Sequence, residues 1–213
     1  MRPETVLAFD TSAAHCAAAL LLPGNRCLTR HVPMDKGQGE ALIPLLEELL
    51  AEGGITWADL TRIGVGTGPG NFTGVRISVA AARGLALGLG IPAVGVTALE
   101  AAAHGLPRPL VVAEDARRGE VYCQSFTPEP GEARLVQLDA VPALPVTGSA
   151  ATPVSALTGA SVLPPALPLA EAIARIAAAR SLPSPRPAPF YLRAADAAPP
   201  SDPPPVILPD PVP

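Results

Sequence analysis

The chain has 213 residues, a net charge of −4 and an isoelectric point near 5.4, which argues against a stand-alone nucleic-acid binder, since those carry a basic face. Hydrophobic residues make up 48% of it, enough for a core, but aromatics only 3%. Its 28 prolines are concentrated after Leu106, so the second half is expected to be rich in loops.

The first elements follow from short apolar runs. Val6 to Phe9 reads as a strand ending at Asp10, Thr11 and Ser12, and Cys16 to Leu22 as an antiparallel return closed by Pro23-Gly24-Asn25. Cys27 to Val32 reads as a third strand. Leu42, Leu45, Leu46, Leu49 and Leu50 fall at the spacing of an amphipathic helix ended by Gly53-Gly54. Pro44 requires that helix to start near Ala41 or to kink, because proline is tolerated only in a first turn.

The segment Gly66 to Ser78, GTGPGNFTGVRIS, is the most informative stretch. It lies between a strand at Ile63–Val65 and a helix running from Val75 to Leu89. A glycine-rich turn at a helix N-terminus either binds an anion or lets two backbones pack closely. It matches neither the P-loop nor the G-x-G-x-x-G spacing. In the helix, Ala80, Gly84 and Gly88 fall on one face. That face is read as a close approach for another backbone, against the plainer reading of an alanine-rich composition. Ile91 to Val96 reads as a strand, with Thr97 capping a helix through Ala103.

A second block opens at Leu110. LVVAEDARRGEVYCQSF repeats the pattern of VLAFDTSAAHCAAALLL: apolar strand, aspartate, polar turn, apolar strand. Asp10 and Asp115 occupy equivalent places, which is the mark of a duplicated α/β fold. After Thr127 the pattern weakens. Leu167 to Arg180 reads as a helix, and residues 194–213 as a disordered tail. The expected division is an N-terminal lobe over residues 1–105, a reduced, proline-rich C-terminal lobe over 106–193, and the tail.

Cys16, Cys27 and Cys123 have no C-x-x-C spacing and read as small buried residues of a reducing compartment. The N-terminus lacks a signal-peptide pattern, and no apolar run reaches the roughly 18 residues of a membrane span. The expectation is a cytoplasmic protein with no membrane contact. His15, His31 and His104 lie on separate elements without ligand spacing, and no metal site is expected.

FDTS at Phe9–Ser12, GPGNFTGVRIS at Gly68–Ser78, Gly84–Glu100, DARRGEVY at Asp115–Tyr122 and FYLR at Phe190–Arg193 together resemble the TsaB family, also called YeaZ. The resemblance is close through residue 126 and thin beyond it. It implies the duplicated fold of the actin, sugar kinase and Hsp70 superfamily. It implies a role in making threonylcarbamoyladenosine beside the anticodon of tRNAs that read codons starting with A. The chemistry there belongs to the paralogue TsaD, with a TsaE-like ATPase as a third subunit. ATP and a metal ion are expected on those partners, none on this chain, and tRNA is met only through the complex. TsaD-like proteins carry His-x-x-x-His on the helix corresponding to residues 36–51; this chain has no histidine there.

The resemblance assigns pairing, with a TsaD-like chain or a second copy, to two N-terminal helices. The residues expected to carry it are Leu42, Leu45, Leu46, Leu49, Val75, Ala80, Gly84 and Gly88. One leucine stripe of the first helix is expected to face the sheet and the other the partner. Asp10, Thr11, Gly68, Gly70 and Thr73 are candidates for a degenerate nucleotide or anion contact, and Asp10 alternatively caps its hairpin turn. Arg76, in a first helical turn, needs a compensating partner, with Glu114, Asp115 and Glu120 as candidates. Arg117-Arg118 reads as a solvated turn or a contact to tRNA phosphate. No catalytic residue is expected. Two alternatives stand beside this reading: an ATP-dependent transferase or kinase of the same fold acting alone, and a stand-alone homodimeric binding module unrelated to tRNA.

Overall fold

Two five-stranded mixed sheets repeat one arrangement in a computed structural model that describes residues 4–193. The expected tail, 194–213, lies outside the described residues. Strands β1 (Val6–Asp10) and β2 (His15–Leu21) pair antiparallel, and β3 (Cys27–Pro33) adds to β2 in the same sense. Helix α1 (Gln38–Gly53) leads to β4 (Arg62–Gly66), parallel to β1. Helix α2 (Phe72–Leu89) leads to β5 (Ala93–Val96), parallel to β4, followed by the short α3 (Ala98–Ala103). The first sheet is ordered β3-β2-β1-β4-β5.

The second sheet is built from β6 (Leu110–Asp115), β7 (Glu120–Thr127), β8 (Glu129–Pro130), β9 (Arg134–Gln137) and β10 (Val146–Thr147), with α4 (Ala151–Thr158) after it. Here β6 and β7 form the hairpin, β10 runs parallel to β6, and β9 adds antiparallel to β7. The order β9-β7-β6-β10 therefore copies β3-β2-β1-β4 in position and direction. The strand–aspartate–turn–strand repeat is real, and Asp10 and Asp115 end equivalent strands.

The first sheet is buried on both faces, so its central strands are continuously apolar. Leu7 and Phe9 point into a core with α1 and α2; Val6 and Ala8 point into a second core on the opposite face. That second face is covered by α5 (Leu169–Ala179), a helix from the far end of the chain. A Cβ at Gly64 would lie 2.9 Å from the Ala177 methyl, so α5 lies close on β4 only because residue 64 is glycine. The Arg62 guanidinium holds the C-terminal end of α5. It donates to the carbonyls of Ala177, Ala178 (3.0 Å) and Arg180 (2.8 Å) and pairs with Glu4 (3.0 Å). A cation there satisfies carbonyls that the helix leaves without partners.

Two helices differ in detail from their sequence readings. Helix α1 begins at Gln38, so Pro44 lies inside it rather than in its first turn. Proline 44 cannot donate to the Glu40 carbonyl; both residues are exposed, so water can take that place. Secondly, α2 has 18 residues at mean hydropathy 1.3, long and apolar enough by those measures to cross a membrane. Arg76 and Arg83 interrupt its apolar run, which is why a search for unbroken runs passes over it. One of its faces packs into the core of the first sheet through Val75, Ser78, Val79 and Ala82.

Because α5 completes the core of the first sheet, Ile173→Ala, at a fully buried position, should destabilise the protein by about 2–5 kcal/mol. Urea unfolding measures this; a loss below about 0.5 kcal/mol would show that α5 is not part of that core.

Candidate functional site

The glycine loop and the first hairpin turn fit into each other. An added Cβ would lie 1.8 Å from Asp10 Oδ2 at Gly66, 2.4 Å from the Ser12 carbonyl oxygen at Gly70, and 1.9 Å from the Thr11 carbonyl oxygen at Gly74. No side chain fits at any of these positions. Hydrogen bonds close the same contact: Thr11 Oγ1 donates to the Gly74 carbonyl (2.7 Å), and the Asn71 amide donates to the Ser12 carbonyl (2.6 Å). Of the two roles open to such a loop, the structure uses it for close backbone approach.

The N-terminus of α2 is satisfied by the protein itself. Asn71 is its N-cap, and its Oδ1 accepts from the amides of Thr73 and Gly74, both at 3.0 Å. Amides that would face an anion are thus committed to protein acceptors at residues 71, 73 and 74. Thr11 is buried, Thr73 and Gly70 are exposed, and Gly68 is buried with φ of 84°.

Asp10 is 0% exposed. Its Oδ1 accepts from the Ser12 amide (2.9 Å), the Ser12 hydroxyl (2.8 Å) and His15 Nε2 (2.9 Å). The carboxylate therefore caps the hairpin turn, and Asp115 does the same in the second hairpin by accepting from the Arg117 amide (2.8 Å). Asp10 Oδ2 lies against Gly66 without a hydrogen-bond partner among the described residues.

The outer side of α2 has a different character. Ala80, Gly84, Leu87 and Gly88 are exposed, Leu87 at 80%, and no atom lies within 4 Å of a Cβ placed at Gly84 or Gly88. Among the described residues, no element uses the close approach those glycines permit. At the N-terminal end of the face, the Arg76 guanidinium stacks 3.7 Å from the Phe72 ring centre, and its Nε donates to the Tyr191 hydroxyl at 2.9 Å. The two rings are 5.3 Å apart and remain 42% and 43% exposed.

That cluster corrects the expectation for Arg76: its partners are two aromatic rings, not Glu114, Asp115 or Glu120. Glu120 pairs with Arg193 at 2.6 Å, and Glu114 accepts from Ser149. The i, i+4 spacing of Phe72 and Arg76 was legible in the sequence; the arrival of Tyr191 from 115 positions away was not.

The leucines of α1 need a larger correction. Leu42, Leu45, Leu46, Leu49 and Leu50 are all buried in one core cluster, and Val75 with them. The leucines of both stripes lie in that core, against which Ile55, Trp57 and Ile77 and Leu85 of α2 also pack. Of the large hydrophobic residues on that helix, only Ile43 is exposed. Beside α1, an open cleft of about 630 Å³ separates the N-termini of the two helices, lined by Asp35, Lys36, Glu40, Asn71 and Thr73 with both signs of charge.

Nothing in the thiols points to nucleophilic chemistry. Burial, and then the Asp10 charge, push the Cys16 thiol up to about 11; burial does the same for Cys123. Both are protonated at neutral pH. Arg117 and Arg118 sit exposed at the tip of the second hairpin with positive φ, at 63° and 56°.

Residues 35–141 match the family model of TsaD, tRNA N6-adenosine threonylcarbamoyltransferase. The tRNA threonylcarbamoyladenosine biosynthesis protein TsaB of Escherichia coli K12 is 35% identical over 127 residues. A solved Pseudomonas aeruginosa structure described as similar to peptidase YEAZ superposes with a TM-score of 0.72 at 26% identity, covering 89% of this chain and 100% of that one. The chain belongs to the TsaB (YeaZ) family. Its fold is accordingly the duplicated, two-lobed actin-like fold, with a short, proline-rich second lobe. The match to the E. coli member spans 57% of this chain and 54% of that protein, about half of each. An uncharacterized protein of Mycobacterium tuberculosis H37Rv matches over 92% of this chain and 95% of its own length at 34% identity.

The two kinds of glycine in this family member should respond oppositely to alanine. Gly74→Ala, against the Thr11 carbonyl, should cost about 1–3 kcal/mol or more. Gly84→Ala, in open helix, should stabilise by about 0.5–1 kcal/mol. Thermal unfolding of the two variants reads both signs; equal shifts would contradict the close approach at the loop.

Proposed function

We propose that this chain acts in the formation of threonylcarbamoyladenosine in tRNA as a subunit without chemistry of its own, docked on a TsaD-like transferase through the outer face of α2. The observation that carries the reading is the face itself. It is apolar, exposed and lined with small residues along Ala80, Gly84, Leu87 and Gly88, and it ends in the Phe72–Arg76–Tyr191 cluster. Aromatic and arginine side chains dominate the energetics of protein interfaces. Glycines on the face let a partner helix come close enough for a dense contact.

The TsaB name of the curated relatives supports the pathway, and the match to the TsaD model supports pairing between like folds. Helix α1 carries none of the histidines that such a transferase uses, so the metal and the transfer belong to the partner. The product expected is the modified adenosine of tRNAs reading codons that start with A, with tRNA bound by the assembly. A TsaE-like ATPase joins that assembly. A second copy of this chain competes for the same face. The alternative of an ATP-dependent enzyme acting alone is disfavoured by the loop, whose amides at 71, 73 and 74 already have protein acceptors.

Gly84→Trp and Leu87→Asp both point into open solvent and should leave the fold intact. Each should weaken association with the TsaD-like protein of the same cell by at least about 30-fold, the loss of a 2 kcal/mol hot spot. Calorimetry measures it, with tRNA modification by the mixture as a second readout; wild-type affinity in both variants would overturn the assignment of the face.

A further inference from the structure

Four consecutive residues near the end of the described chain touch three separate parts of the molecule. The Phe190 amide donates to the Thr67 carbonyl (2.8 Å), which ties the segment to the glycine loop. Tyr191 accepts from Arg76 Nε and packs beside Phe72 on the outer face of α2. Leu192 packs against the cluster of Leu99, Leu110, Val112 and Phe126, where α3 of the first lobe meets β6 and β7 of the second. Arg193 pairs with Glu120 of β7 (2.6 Å) and donates to the Ala116 carbonyl (2.9 Å) at the second hairpin. The segment is also held from behind. Arg180 donates to the Gly95 carbonyl (2.9 Å) and pairs with Glu100, and Pro187 lies against Gly95 on β5.

We propose that Phe190–Arg193 is a clasp that couples occupancy of the α2 face to the contact between the lobes, with Tyr191 as the residue shared by both. The proposal rests on the docking reading of α2. Tyr191 and Arg193 are only two residues apart, at most about 7 Å of chain, so a shift of one anchor is passed directly to the other. Releasing Arg193 from Glu120 frees Leu192 and removes the tether that keeps the Tyr191 ring beside Phe72. A partner that buries the ring holds the strap down in turn. Coupling of this kind is reciprocal: whatever the clasp adds to partner binding, the partner adds to the clasp. Arg193 is a positioning residue in this account. It sits on the second lobe, away from the exposed stripe of α2, and acts on docking only through Tyr191.

The test is a double-mutant cycle on the full chain, with affinity for the TsaD-like protein of the same cell measured by calorimetry. Arg193→Ala should weaken binding about 5- to 10-fold, and Arg193→Lys, which keeps the ion pair with Glu120, should recover most of that. In a Tyr191→Ala background, Arg193→Ala should have no further effect. Hydrogen exchange supplies the reverse reading: the Phe190 amide should exchange faster in free Arg193→Ala and slower in the wild type once the partner is bound. Wild-type binding that is unchanged by Arg193→Ala, or that falls by independent factors in the double variant, would overturn the coupling alone. Absence of wild-type binding would overturn the docking reading and the coupling with it.

Discussion

The placement of α2 depends on how closely the glycine loop approaches the first hairpin. Three glycines lie where a methyl group would collide with Asp10 Oδ2 or with the carbonyls of Thr11 and Ser12. The contact fixes the start of α2 relative to β1 and β2. With one face of α2 then committed to the core, the opposite face has to point outward. A loop that opened by even one methyl group would shift the helix and with it the stripe from Phe72 to Gly88. The glycines of the loop and those of the helix thus serve different ends. The first allow contact within the chain, and the second leave room for contact from outside it.

The same contact explains why a loop of this composition need not hold a ligand. A helix N-terminus attracts anions because its first amides lack acceptors. Here Asn71 and Ser12 provide those acceptors. Asp10, the aspartate that ends the first strand, is engaged through Oδ1 with three donors, while its Oδ2 lies against Gly66 with no hydrogen-bond partner among the described residues. The first turn of α2 is thus closed by the protein's own side chains and backbone.

Much of this was legible in the sequence, and the failures have specific causes. The hairpins, the glycine turn and the duplication were readable because each rests on contacts close in sequence or on a repeated pattern. Asp10 and Asp115 end equivalent strands, as their 115 − 10 = 105 residue offset suggested. Helix α5 was visible, but its destination was not, since nothing in LAEAIARIAAA says which sheet it covers. The two-residue strands β8 and β10 left no periodic signal among the prolines. The leucines of α1 misled because a wide apolar stripe looks the same whether its second half meets a neighbouring helix or a partner. Here the chain's own core takes it, so Leu42, Leu45, Leu46 and Leu49 are buried. The small residues at 80, 84 and 88 were placed on one face by spacing alone, and that face is open.

The central claim is that the outer side of α2, extended by Tyr191, is where a TsaD-like partner sits. Hydroxyl-radical footprinting of this chain, alone and mixed with that protein, tests it without altering any residue. The account predicts that Phe72, Leu87 and Tyr191 lose reactivity together in the mixture, while Leu157 and Val162, exposed on the second lobe, react as before. Protection of Leu157 and Val162, with Leu87 still fully reactive, would contradict it.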